Sequence, residues 1–204
     1  ALHLKSTGWS LQKYDWLFKV RDRFESIVHP KTIQPYWFER DTHEGKYDAF
    51  NRYVFNYSES ILDIISQTSD RPFKKEILPL KPCTFDVLSA IYYCRNIDFS
   101  RYSKGDKIPL TMAIDNEIFD LHLRYMGKER LQTRSGEIFN TIRFKAMLVE
   151  GTIFKGGEDL DVWVTDDKNR VPILIEAKIL VGSVKAVLTG MEGLRYPVES
   201  KVEH

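Results

Sequence analysis

The stretch LDVWVTDDKNRVPILIEAKILVGSVKAVL, residues 160–188, decides the fold class. Leu160, Val162 and Val164 fall on one side of an extended chain, and so do Ile173, Ile175, Ala177 and Ile179, then Val184, Ala186 and Leu188. Successive side chains of a strand point to opposite faces, so each run describes a ribbon with one dry and one wet side. Asp166-Asp167-Lys168-Asn169 and Gly182-Ser183 lie between the runs and tolerate tight or positive-φ backbone. The pattern predicts antiparallel sheet folded back on itself. No chemical signature of comparable clarity accompanies it.

A chain of 204 residues suits one β domain with a continuous core, expected over 1–192, with a loose tail at 193–204 where no period is visible. Lysine plus arginine (30) nearly cancel aspartate plus glutamate (29), so no global field favours nucleic acid or an anionic membrane. No apolar run approaches the roughly 20 residues of a transmembrane helix. The chain opens at Ala1 in a strand-like segment without initiator Met or signal-type stretch, which implies that something upstream was removed or is absent here. Cys83 and Cys94 flank a helical-looking segment. At about 1.5 Å rise per residue they would stand roughly 16 Å apart, beyond disulfide reach, so two free thiols are expected.

Elsewhere, strands are predicted over 20–28, 33–43, 47–65 (one long or two broken), 108–114 and 119–125, with further strands after Gly127 and after Ser135-Gly136. Pro72, Pro79 and Pro82 suggest a long crossing loop or irregular edge over 66–82. One helix is expected from Thr84, as its cap, to Arg95. Gly156-Gly157 reads as a break before the last strands. The whole describes roughly ten strands in a large antiparallel barrel or half-barrel, a curved meander with one short helix packed on it.

WLFKVRDRFESIVHPKTIQPYWFERDTHEGKYDAFNRYVFNY (16–57), FDVLSAIYYCRN (85–96) and EGTIFKGGEDLDVWVTDDKNRVPILIEAKILVGSVKAVLTG (150–190) resemble the DUF3108 family, a bacterial domain of unknown function. The resemblance implies an exported protein of the periplasm or cell envelope, often from Bacteroidetes or Proteobacteria, with a β fold akin to capsule-export lipoproteins and lipoprotein carriers. It implies no reaction and no catalytic residues. Members usually carry a signal peptide and one or two strands before the point where this chain starts, which would leave an open sheet edge here.

The richest polar cluster sets Arg21, Asp22, Arg23 and Glu25 opposite Glu39, Arg40, Asp41, His43 and Glu44. Asp22 and His43 are the candidate acid/base pair of a hydrolase, because a general base needs a proton acceptor within hydrogen-bond reach of substrate. The simpler reading is a ladder of opposite charges on a wet face. Glu158, Asp159, Asp161, Asp166 and Asp167 supply oxygen ligands but match no calcium loop, and Asp159 and Asp161 are expected on the outward side of a strand. The scattered histidines support no zinc site, Ser89 sits in no Gly-x-Ser-x-Gly frame, and Lys155-Gly156-Gly157 is only a fragment of a phosphate loop. No metal and no cofactor are expected.

Trp9, Tyr14, Trp16 and Phe18, with Tyr36, Trp37 and Phe38, are expected mainly in the core. Trp16 and Trp37 are the candidates for stacking on a sugar or lining a lipid groove, and at least one of the three consecutive rings must be exposed. The preferred functional expectation is a non-enzymatic envelope binding or scaffold module for a lipid, a saccharide or an envelope protein, held in or on a concave sheet. The alternatives are the hydrolase and a subunit that recruits a partner by strand addition.

Overall fold

Period-two patterning becomes fourteen strands in the computed structural model, which describes residues 1–148, 157–178 and 183–202, with the side chains of 14, 148, 157–159 and 178 outside that description. The first six strands form one antiparallel meander: β1 (Leu2–Trp9), β2 (Val20–Val28), β3 (Pro35–Glu44), β4 (Tyr47–Asn56), β5 (Ile61–Thr68) and β6 (Arg71–Pro79). There follow β7 (Thr84–Phe85), the helix α1 (Val87–Arg95), β8 (Lys107–Ile114), β9 (Glu117–Gln132), β10 (Ile138–Leu148), β11 (Gly157–Thr165), β12 (Pro172–Lys178), β13 (Ser183–Val187) and β14 (Lys201–Val202). The second sheet has the order β13-β12-β11-β10-β9-β8-β7, with β14 on β10 and β7 parallel to β8. Neither strand order returns to its start, so no closed barrel is found among the described residues. The chain divides into two compact units, Ala1–Tyr93 with Leu110–Asp120, and Cys94–Pro109 with Leu121–His204.

In the first unit, alternation sorts the meander into two faces. Phe38, Tyr53, Phe55, Leu62 and Ile64 point to one side and are buried with Leu80 and Ala113. Leu4, Val28 and Ile33 on the same side receive Leu88 of α1. Each such fully buried side chain contributes about 2 kcal/mol by leaving water. The segment 66–82 is not a loop: β6 pairs with β5 from Ile61↔Pro79 to Thr68↔Arg71. It tolerates its prolines because it is an edge, where a missing N–H costs no ladder bond, and Lys74 and Lys75 discourage further pairing.

Helix α1 starts at a different cap from the one expected. Thr84 belongs to β7, and Asp86 takes the capping role: its Oδ1 accepts the Ser89 backbone N–H at 3.0 Å, while its own N–H donates to Ser89 Oγ at 2.9 Å. That reciprocal arrangement satisfies the first orphan donors of the helix. Ser26 Oγ of β2 donates to Asp86 Oδ2 at 2.7 Å, so the cap also ties the helix to the sheet. Ser89 thereby has a structural role. Burial drives the Asp86 pKa upward against the hydrogen bonds from Ser89 and Ser26.

A second polar anchor is the β8–β9 turn, where Asp115 and Asn116 take positive φ values of 49° and 65°. Asn116 reaches the inner face of the meander. Its Nδ2 donates to Ser66 Oγ at 2.7 Å and Glu76 Oε2 at 3.1 Å, and its Oδ1 accepts from Asn51 Nδ2 at 3.0 Å. Asp115 pairs with Arg40 at 3.0 Å.

In the second unit, Phe99 stacks on Phe144 and tilts against Tyr125, beside the fully buried Ile142. β9 runs through Gly127 without a break; the register shift opposite Arg143 and Phe144 absorbs one extra residue there. Asp161, expected outward, is buried because Arg143 (2.9 Å) and Lys145 (2.9 Å) close on its carboxylate. Every residue of β13 is exposed, so Val184 and Ala186 have no dry side: the strand is an edge. Residues 193–199 form no regular element, but the segment is tied down at its end, where Ser200 Oγ donates to the buried Asp167 Oδ2 at 2.7 Å and β14 pairs with β10. Ile179, Gly182 and Gly156 lie outside the described residues.

Asp86→Ala removes the cap and strands the Ser26 and Ser89 hydroxyls, so it is expected to cost about 2–4 kcal/mol in urea unfolding. A loss below about 1 kcal/mol would show that the helix is not anchored through this carboxylate.

Candidate functional site

Residues Trp9, Arg21 and His43 stand in register on the outer face of the meander, one row from Thr7, Arg23 and Asp41. Trp9-Ser10-Leu11-Gln12 folds over these rows, and a cleft of about 670 Å³ results, lined by Trp9, Leu11, Arg21, Asp22, Arg23 and His43 among others. Trp9 and Leu11 are its apolar lining, beside Thr7, Ser10 and Gln12, and Arg21, Arg23, Asp41 and His43 form its polar wall.

The polar wall is neutralised internally. Arg23 lies within 3.5 Å of Glu25, Glu39 and Asp41. Arg52 Nη2 contacts Glu39 at 2.8 Å, which completes a charge ladder across the outer face. His43 Nδ1 meets Asp48 Oδ1 at 2.7 Å and Nε2 meets Asp41 Oδ1 at 3.3 Å. The Asp48 hydrogen bond, with help from Asp41 and against some desolvation, holds the His43 pKa above its ordinary 6.5.

Asp22 and His43 line the same cleft, but their side chains belong to opposite faces, because Asp22 pairs with Thr42 and His43 with Arg21. Their hydrogen bond runs from the His43 backbone N–H to Asp22 Oδ1 at 3.3 Å. Burial raises the Asp22 pKa despite that bond. The carboxylates that orient the His43 ring are Asp41 and Asp48.

The β1–β2 connection, residues 10–19, is held by its polar groups. Ser10 N–H donates to the Val20 carbonyl at 3.2 Å, and Val20 N–H donates to Ser10 Oγ at 2.9 Å. Asp15 turns inward, bonded to Ser10 Oγ and paired with the Arg21 guanidinium. The contacts with Arg21 and then Ser10 lower its pKa. With Ser10 and Asp15 bound to each other and to Arg21, the loop turns its apolar groups outward: Trp9 is 66% exposed, Leu11 58%, Trp16 82%, Leu17 70% and Phe18 54%. The rings of Trp9, Trp16 and Phe18, expected in the core, are surface groups. Phe18 rests on the β3–β4 turn at Gly45 (φ 66°), where an added Cβ would meet its ring at 2.9 Å.

Trp37 does not join Trp16. It is half-buried on the outer face between Ile27 and Val54, six residues along β3 from His43, which is about 20 Å of strand. Of the consecutive rings, Tyr36 is exposed and Phe38 buried. Sequence reasoning missed Leu11, Leu17 and the Ser10–Asp15–Arg21 lock; the signal was an apolar, aperiodic segment lying between two strands. Of the acidic cluster, Asp166 pairs with Lys128 and Arg170, Asp167 is bound by Thr165 and Ser200, and the side chains of Glu158 and Asp159 lie outside the described residues. Among the described residues no group of three or more His, Cys, Asp and Glu is placed to hold a metal ion. Cys83 is exposed and Cys94 buried, both as free thiols.

Geometry alone defines a mostly β protein of antiparallel sheets with, among the described residues, one short α-helix and an amphiphilic surface cleft. The model of the family described as "Protein of unknown function (DUF3108)" matches residues 1–189, and the chain belongs to that family. No curated protein and no solved structure matches the chain.

A histidine whose folded pKa is raised stabilises the fold fully below the unfolded pKa and loses that contribution as pH rises through the folded value. The His43 ring, followed by NMR, is expected to titrate above 6.5, and Asp48→Asn should move it down. An unchanged midpoint in the variant would separate His43 from Asp48 in solution.

Proposed function

We propose that this chain is a non-enzymatic binding module of the bacterial periplasm or cell envelope, the meander serving as the curved wall of a half-barrel and the cleft over β1–β3 holding an amphiphilic ligand. The observation that carries this reading is the cleft's mixed lining: Trp9 and Leu11 offer exposed apolar surface, and Arg21, Arg23 and His43 beside them offer hydrogen-bonding groups. Binding sites for small molecules pair apolar area with a few placed polar groups, at volumes of about 300–1,000 Å³. Because the cationic groups are already matched by carboxylates, the polar wall suits a zwitterionic or hydroxyl-rich head better than a bare anion.

The hydrolase remains the second reading, favoured by Asp22 and His43 lining one cleft. Turnover abolished by His43→Ala and by Asp22→Asn, with unfolding midpoints unchanged, would establish it.

Titration with a monomeric zwitterionic lysophospholipid, followed by intrinsic fluorescence and native mass spectrometry, is expected to show saturable one-to-one binding. Trp9→Ala should weaken it about tenfold, the worth of one lost aromatic contact. Binding that is absent, or indifferent to Trp9, would remove the cleft as a ligand site.

A further inference from the structure

We infer that residues 9–19 form a docking loop for an anionic bilayer surface. Trp16, Leu17 and Phe18 are large, consecutive and exposed, yet none of them lines the cleft, so ligand binding there does not account for them. Exposed apolar side chains normally occur singly; a cluster of this kind marks a place where another apolar medium is met.

Three features select a membrane over a protein partner. The loop is preorganised: Ser10, Asp15, Val20 and Arg21 consume one another's hydrogen-bonding capacity, and Gly45 N–H donates to the Lys19 carbonyl at 2.7 Å. These bonds fix the two ends of the loop, so Trp16, Leu17 and Phe18 are presented from a held base. Tryptophan beside aliphatic residues is the composition favoured where water gives way to acyl chains. The charge distribution also fits. Asp15 is the only acid among residues 9–21 and is turned onto Arg21, whereas Lys13 and Lys19 are exposed on either side of Trp16-Leu17-Phe18. Glu44 and Lys46 of the neighbouring turn offset each other in formal charge. Residues 9–21 thus carry Lys13, Lys19 and Arg21 against Asp15, a formal charge of +2 around the apolar tip.

This inference rests on the amphiphile-binding reading for its biological sense, but its test is separate. The intact chain is mixed with vesicles of phosphatidylethanolamine and phosphatidylglycerol, and in parallel with neutral phosphatidylcholine vesicles, then sedimented while tryptophan emission is recorded. Association with the anionic vesicles and a blue shift are expected, weakened by salt and by the neutral lipid. The double variant Trp16→Ser with Leu17→Ser should reduce partitioning at least about tenfold without changing the thermal midpoint, since both side chains are already in water. Trp9→Ala tests the cleft with the monomeric lysophospholipid, while Trp16→Ser with Leu17→Ser leaves that binding intact. Failure of one experiment therefore does not mimic failure of the other. No partitioning, partitioning indifferent to the double variant, or a loop that instead captures a soluble protein would overturn the bilayer assignment.

Discussion

Cross-strand register between β2, β3 and β4 is the constraint from which the rest follows. With Phe24 opposite Arg40 and Arg23 opposite Asp41, the odd-numbered positions of β2 and β3 carry Arg21, Arg23, Glu25, Glu39, Asp41 and His43 on the outer face. The even-numbered positions carry Phe24, Ser26 and Phe38 inward. A slip of one residue would move charges into the core and aromatics into water, so the two patterns enforce each other. The same register separates Asp22 from His43 and gives His43 its orienting carboxylates.

The inner face is not uniformly apolar, and its polar positions are where other elements attach. Asp86 joins α1 to Ser26 of β2, and Asn116 joins the β8–β9 turn to Asn51, Ser66 and Glu76. A buried polar group without a partner costs more than a paired one gains, so these contacts specify where each element lands more than they add to stability. Tyr53 shows the same principle: its hydroxyl accepts the Asn116 N–H at 3.1 Å, and burial pushes its pKa up to about 12. Among the described residues no buried side-chain nitrogen or oxygen lacks a partner.

Strand periodicity made β2, β3, β8 and the β11–β12 hairpin legible in the sequence, because apolar residues alternate along each and turn residues such as Gly45, Asn116 or Asn169 lie beyond the ends. Edge strands were legible only in part. β1 and β13 were read as strands, but β13 lacks the buried face expected for Val184 and Ala186, and β6, with little buried face and prolines at 72 and 79, was read as a loop. Asp161 was misplaced because alternation shows which face a residue takes but not whether Arg143 and Lys145 will close over it. The polar half of the cleft was visible as a charge cluster. The apolar half was read as core, since composition cannot distinguish a ring that fills a sheet from a ring that stands on a loop. What separates them is the internal pairing of Ser10, Asp15 and Arg21, a contact set by folding.

Oxidative cross-linking tests the register most directly. In a Cys83→Ser background, Arg23→Cys with Asp41→Cys should form a disulfide, because the two positions are direct partners on one face. Asp22→Cys with His43→Cys should not, its Cβ atoms pointing to opposite faces. Ready closure of the second pair and failure of the first would place Asp22 beside His43, and contradict both the face assignment and the cleft built upon it.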